Sequence, residues 1–581
     1  MRRTGRGLKL ITAISVAAIG YLLIIPLVLQ VVSALRGPYL PFGVPSAQWG
    51  VANFVTLYGT LAPDLLATVR DTVLFVGGSV LISTGLGWAL AWLVVRTDLP
   101  GRNLITVLVI VPFVIPPIVR AQSYFLMLAP ESGLLRVDPF DFTTMTIVQG
   151  LAYVTFPFML LMPIIQNMGS SHEEAARASG ASAWQAFRRV TFPMLWPGTL
   201  GVVAMLSMLT LGNLEIPVLF GQQEGRNIFS LKLWSLITPT PGELPRYGLA
   251  AAYAVNFLVL VAVIFRIYLW ATRDAAQRAS VTGKDFRPVR LPLGRAKAPV
   301  TVLVWLYLIL TAVLPLVALF WSSIMPYALP ISWDNLVKHA GLGAFAAAAA
   351  DPEFWASLGR TGVISVGSAT LAVALAMVAA YYTARGKGWT VRFVDTLTSS
   401  SLAVPATMAG FAAFLLYSSV NRWIPLVGTV WVLMLAYSYR VAVAYRIAHS
   451  SILQINPELE DAAKASGASP LSVFRRVVLP LLLPTAAAAW IQMVILGANE
   501  FTIAAFLATP ESRPLSWYLY SRINPQAAQL YAPDQGAAMA VIFTVFVLVF
   551  GYGVRILLTR RTNERRGRPA QQGDRLGDLG A

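Results

Sequence analysis

An all-α polytopic membrane protein of about 12 transmembrane helices, built as two homologous six-helix halves, is the fold class that this sequence predicts. Three observations carry that expectation. Of 581 residues, 57% are hydrophobic and only 12% charged, against roughly 25% charged in a soluble domain. Twelve apolar runs follow one another, each near the ~20 residues needed to cross a hydrocarbon core. And one polar segment is written twice. Residues 173–198 read EEAARASGASAWQAFRRVTFPMLWPG and residues 460–485 read EDAAKASGASPLSVFRRVVLPLLLPT, identical at 15 of 26 positions at a constant offset of 287.

The first apolar run extends from about Leu10 to Leu35 behind a basic start. A cleaved signal has an apolar core of about 7–15 residues, so this longer run reads as an uncleaved span. Further spans are expected at about 72–95, 104–128, 146–168, 194–220 and 249–270. The second set falls at about 300–321, 362–382, 402–420, 424–448, 481–508 and 537–558. The corresponding domains are a first transmembrane half, 1–272; a basic linker, 273–298; a second half, 299–560; and a polar tail, 561–581, expected to be disordered. Thr68-Val-Arg-Asp-Thr resembles Ser357-Leu-Gly-Arg-Thr at the start of each half's second span, which extends the repeat beyond the loop. Two copies in one orientation predict bundles related by an axis along the membrane normal, with a pathway between them.

Formal charge is +18. The N-terminus, the loops Arg96–Arg102 and Arg385–Arg392, both repeated loops and the tail Arg560–Arg568 fall on one side of a twelve-span arrangement. The linker from Arg273 to Lys297 joins them, with seven basic residues against two acidic. The positive-inside rule therefore places both termini and both repeated loops in the cytoplasm. Basic loops facing anionic lipid account for the charge, and no soluble basic domain exists to bind nucleic acid. Cysteine is absent, which excludes disulfides and thiolate metal sites. His172, His339 and His449 are scattered without ligand spacing, so no metal centre is expected.

Within each repeated loop, Glu173, Glu174, Ala175, Ala176, Arg177 and Ala178 favour a short helix, with acids suited to the dipole of its first turn. Gly180 suits a left-handed C-terminal cap. Arg188 and Arg189 follow Phe187 in a second short helix, and Pro193 and Pro197 open the next span, where a missing N–H costs least. The second copy repeats this with Glu460, Asp461, Ala462, Ala463, Gly467, Arg475, Arg476, Pro480 and Pro484. A polar loop that stays this alike while its flanking spans diverge reads as a docking surface for another protein.

Glu174-Ala-Ala with Gly180 and Phe192-Pro193, and Asp461-Ala-Ala with Gly467 and Leu479-Pro480, resemble the EAA loop of binding-protein-dependent ABC importer permeases of the type I fold; Asp461 departs conservatively from the pattern. The resemblance implies that each short helix couples to an ATPase subunit, a homodimer serving both loops. It also implies an extracytoplasmic substrate-binding protein as second partner, and a bacterial cytoplasmic membrane as location. The chain would be no enzyme itself. A phosphate loop needs G-x-x-x-x-G-K-[ST]. Gly283-Lys284 is followed by Asp285, and Gly386-Lys387 by Gly388. No cofactor is expected on this chain, and ATP and magnesium would belong to the ATPase.

Ionisable residues inside spans are functional candidates. Glu215 and Glu500 fall at near-equivalent places in the fifth span of each half, with Asn213 and Asn499 nearby. From Pro197 to Glu215 is ~27 Å of helix, which places the acids toward the external end, where they would favour a cationic solute or serve as helix-end residues held by loop partners. Arg120, beyond the Pro116-Pro117 break, either lines the path or pairs structurally. Arg440 is expected to snorkel to the cytoplasmic side. Leu214-Glu-Ile-Pro-Val-Leu-Phe-Gly and Thr502-Ile-Ala-Ala-Phe-Leu-Ala, with the fused two-half layout, resemble ferric-iron permeases; similar fused chains serve thiamine, and related unfused ones serve polyamines, phosphonates and sulfate. An ion-coupled secondary transporter is the alternative of another class.

Overall fold

The computed structural model describes all residues except 1–5, 37–47, 167–170, 223, 239–242, 273–290, 525–529 and 567–581. The basic start, most of the linker and the distal tail therefore lie outside the described residues, and the charge reading of those segments with them. Every described element of length is helical. Eight helices are long and apolar enough to cross a membrane, and three bent pairs supply further crossings. The apolar stretch Pro533–Val549 of the last helix comes in the place of the twelfth.

The second and eighth spans run longer than their apolar cores suggest. Ala62–Arg96 has 35 residues and Pro352–Arg385 has 34, about 50 Å of helix each at 1.5 Å per residue. Both begin some ten residues earlier than expected from hydropathy, because their first turns carry Asp64 and Glu353, acids that hold neighbours. Lys232 Nζ donates to Asp64 at 2.8 Å, while Arg360 and Arg513 both reach Glu353, at 2.6 and 3.0 Å.

Asp351 caps the eighth span, accepting the Glu353 N–H at 2.9 Å, the Tyr518 hydroxyl at 2.6 Å and an Arg522 N–H at 2.5 Å. Burial alone would raise its carboxyl pKa. The Tyr518 and Glu353 hydrogen bonds and the Arg522 charge outweigh burial and set it below the ordinary carboxylate value. A depressed native pKa stabilises above the unfolded value, about 3.9, and that stability is lost as pH falls through the native value. Asp351→Asn is therefore expected to destabilise by about 1–2 kcal/mol at neutral pH. Thermal unfolding in detergent should show the gap from wild type closing below about pH 4.

Spans three and nine are broken near their middles. Arg102–Val114 and Pro117–Leu128 meet at 104°, and Trp389–Ala403 and Ala406–Val420 at 109°. Proline removes a helical donor and clashes with the preceding turn, and it drives the residue before it into extended geometry. Ile115, at φ −69 and ψ 130, and Val404, at φ −83 and ψ 114, are those residues. Span nine consequently begins at Trp389, not at 402, and only 386–388 remain as loop before it. Span four bends less, by 42°, between Phe142–Ala152 and Thr155–Gln166.

The halves exchange their first helices. Gln30, on the first span, is fully buried and donates to the Met408 carbonyl of span nine at 2.8 Å. Reciprocally, Tyr124 of span three donates to the Thr311 carbonyl of span seven at 3.0 Å. Each half's opening helix thus packs on the other half's broken third span.

Repetition is tightest around the duplicated loops. The π-helical turns Phe187–Thr191 and Phe474–Val478, the helices Phe192–Leu211 and Leu479–Ala498, and the short helices Glu215–Phe220 and Thr502–Leu507 all correspond at an offset of 287.

Candidate functional site

Two regions answer to the sequence reading. The first is the pair of loop helices, Ser171–Ala178 and Pro457–Ala465. Both end in the same closed cap. Gly180 N–H bonds Arg177 O and Ala181 N–H reaches back to Ala176 O; Gly467 N–H bonds Lys464 O and Ala468 N–H reaches Ala463 O, all at 3.0–3.1 Å. Such a six-to-one closure needs a left-handed residue, and Gly180 and Gly467 adopt φ of 86° and 84°.

The first acid of each loop faces inward to its own bundle. Glu173 lies 3.7 Å from Arg96 and accepts from Thr191 at 3.1 Å. Glu460, 2% exposed, accepts from Arg385 at 2.7 Å and from the Tyr381 hydroxyl at 2.8 Å. Arg96 and Arg385 are the last residues of spans two and eight, so each loop helix is tied to the cytoplasmic end of the same half's long span. Phe187 and Phe474 reinforce the tie, packing on Trp92 at 5.1 Å and Tyr381 at 4.9 Å between ring centroids. What remains outward is Glu174, Ala175 and Gly180 in one loop, and Asp461, Ala462 and Gly467 in the other, with Ala176 and Ala463 half-buried behind them. Arg188, Arg189, Arg475, Arg476, Pro193 and Pro480 are exposed beside them.

The second region lies between the halves. At the 287 offset, the equivalent of Glu215 is Thr502, and the Thr502 hydroxyl donates to the Glu215 carboxylate at 3.3 Å. Two equivalent residues can touch only beside the axis that relates their halves, so this hydrogen bond marks the axis. Gly212 shows how close the halves come there. A Cβ on it would sit 2.5 Å from the Ala406 nitrogen, at the break of span nine.

The two acids are therefore not a matched pair, as the sequence suggested. The equivalent of Glu500 is Asn213, and both do the same local work. Asn213 Oδ1 accepts the Ile216 N–H at 3.4 Å and Glu500 Oε1 accepts the Ile503 N–H at 2.8 Å, each capping the short helix that follows. The partners correspond as well. Asn213 donates to the Tyr153 hydroxyl, and Glu500 pairs with Arg440, 287 residues on from Tyr153. One contact is thus written as a neutral hydrogen bond in the first half and as an ion pair in the second. Arg120 lies 5.0 Å over the Tyr153 ring and donates to the Pro112 carbonyl at 3.0 Å. Asn499 carries a buried Oδ1 with no hydrogen-bond partner.

Arg440 corrects a sequence expectation. It does not snorkel; it closes the 3-10 turn Ser438–Arg440 near the middle of the span Val430–Gln454 and turns to Glu500. That contact also sets Glu500 level with the middle of a neighbouring span, and Asn213 meets Tyr153 at the kink of span four. The cluster is central rather than external. The signal that finds Arg440 in the sequence is the offset itself, since residue 153 plus 287 falls on it.

Comparison with known proteins gives this geometry a family setting. The family model described as "Binding-protein-dependent transport system inner membrane component" matches twice, over residues 83–277 and 372–564. A probable ABC transporter permease protein, y4fN, of Sinorhizobium fredii is 25% identical over 525 residues, covering 85% of this chain and 87% of that protein. The ferric transport system permease protein FbpB of Actinobacillus pleuropneumoniae is 23% identical over 536 residues, covering 86% of this chain and 75% of that one. The sulfate transport system permease protein CysW of Escherichia coli is 37% identical over 151 residues, 24% of this chain and 51% of that one.

Proposed function

The chain belongs to the family of binding-protein-dependent transport system inner membrane components, and from that premise we propose that it is the whole permease of an ATP-driven importer, both halves in one polypeptide. The observation that supports this best is the doubled loop. Two short helices with the same glycine cap and the same acid-to-arginine tether offer two like surfaces, which suits two copies of one ATPase subunit. ATP and magnesium would be bound by that subunit. The outward Glu174, Ala175, Asp461 and Ala462 would meet it, and Glu173 and Glu460 would carry its movement to spans two and eight. Both termini would lie in the cytoplasm.

In this reading, the solute comes from an extracytoplasmic binding protein and passes along the axis beside Glu215, Asn213, Asn499, Glu500 and Arg120. Ferric iron is the solute we propose. A relative named for ferric transport aligns along most of the chain, and a carboxylate beside the axis favours a cation. Thiamine, polyamines, phosphonate and sulfate are the alternatives within the same class. The test is uptake by vesicles containing the chain, its ATPase and its binding protein. ATP-dependent accumulation of iron, not of sulfate, and insensitive to protonophores, is the expected result. Uptake that ignores ATP and collapses with a protonophore would replace the reading with an ion-coupled transporter.

A further inference from the structure

A cavity of about 420 Å³ opens between span three, span seven and the helices Leu515–Ile523 and Pro533–Arg566. Val218 and Leu219 form part of its wall, one helical turn beyond Glu215, and in the proposed topology it lies on the extracytoplasmic side. Its chemistry is distinctive. Glu131 and Asp534 are the charged side chains of its lining, and no lysine, arginine or histidine is among the lining residues. Two guanidinium groups outside the lining are held by protein groups, Arg522 by Asp351 and Arg226 by the carbonyl of the lining residue Phe140 at 2.9 Å. Aromatic rings, among them Phe125, Trp321 and Tyr520, supply much of the remaining wall.

One side chain points to a missing ligand. Gln122 is 3% exposed and lines the cavity, and its amide has no hydrogen-bond partner among the described residues. An amide that faces the cavity without a protein partner is available to hydrogen-bond a polar group bound there. Acids and π-faces together hold a cation that is itself apolar at its rim, which describes an organic ammonium. A naked metal ion would need a tight ligand set, and among the described residues no group of three or more His, Cys, Asp or Glu side chains stands close enough to hold one.

We propose that this cavity is a binding site for an ammonium-bearing organic cation, held by Glu131 and Asp534, faced by Trp321 and Tyr520, and hydrogen-bonded by Gln122. The placement beside the path rests on the importer reading; the binding chemistry does not. The ammonium could arrive on a free solute or on a lipid headgroup.

The probe is choline, measured by calorimetry on the full chain in maltoside micelles, with 3,3-dimethylbutanol as its uncharged isostere. Saturable choline binding at one site per chain is expected, with at least about tenfold weaker binding of the isostere. Glu131→Gln with Asp534→Asn should weaken choline by about tenfold or more, since both charge partners are lost. Gln122→Leu, which leaves the acids in place, should weaken it by about fivefold. Equal binding of choline and the isostere, or choline binding indifferent to the acid variants, would overturn the site.

Repeating the titration in nanodiscs separates the sources. Loss of choline binding in phosphatidylcholine discs, with retention in phosphatidylglycerol discs, identifies the headgroup as occupant; retention in both identifies a free solute. Co-purification of an ATPase is scored on the same preparations. Its failure would remove the importer reading and leave the choline result standing.

Discussion

Valine at both Gly180 and Gly467 is expected to uncouple the transporter while leaving the chain inserted and its axial contacts intact. The two glycines sit at φ 86° and 84°, a region costing an L-residue roughly 1–2 kcal/mol and a β-branched residue more. No atom lies within 4 Å of a Cβ built on either glycine, so the penalty is conformational and is not a clash that would spread into the bundle. Relief comes by opening the cap and losing the Ala181 and Ala468 N–H bonds, which frees the end of each loop helix. Over both loops about 2–4 kcal/mol is at stake, enough to cut the population of the docked geometry by roughly 30-fold or more. ATPase co-purification and ATP-dependent uptake should fall together, with size exclusion unchanged. Asparagine, which tolerates the left-handed region, should retain most of both. Normal uptake in the double valine variant would remove these loops from the coupling path.

The second large effect concerns the asymmetric pair. Arg440→Leu strands the buried carboxylate of Glu500, 4% exposed, with the Ile503 N–H as its remaining hydrogen-bond donor. Removing one member of a buried ion pair typically costs about 3–5 kcal/mol, so thermal stability and yield should drop sharply. The first half indicates how to restore them. Arg440→Tyr combined with Glu500→Asn writes the Tyr153–Asn213 contact into the second half, in a fold that already accommodates it. Most of the lost stability should return in the double variant, measured by thermal unfolding in detergent. A double variant as unstable as Arg440→Leu would mean that the two contacts are not equivalent.

The two predictions draw on features of unequal visibility in the sequence. The left-handed glycines, the doubled helix and the order of the spans follow from residue type and spacing, because a glycine after a short alanine-rich helix has few other uses. The pairing of Glu215 with Glu500 did not survive, since matching by residue type overrode the offset; at 287, Glu215 meets a threonine and Glu500 an asparagine. Arg440 reads as a snorkelling residue when only its distance from the span end is counted. The 3-10 turn that aims it inward, and the partner waiting on another span, are tertiary facts. Hydropathy places the starts of spans two and eight too late for a related reason. Asp64 and Glu353 depress hydropathy, yet each is neutralised by a basic side chain from a distant segment, and the helix continues through them. The single Pro405 gave no hint that it would turn its span as far as Pro116 and Pro117 turn theirs.

The exchange of first helices bears on how the molecule comes into being. Gln30 finds its acceptor, the Met408 carbonyl, 378 residues later in the chain, so this contact of the opening helix can form only once the ninth span has been made. Until then the first half lacks one of the contacts that hold its opening helix in the finished molecule. Joining the copies in one polypeptide keeps the two unfinished bundles within reach of each other through that interval, and makes biogenesis a single event in place of a search between separate subunits.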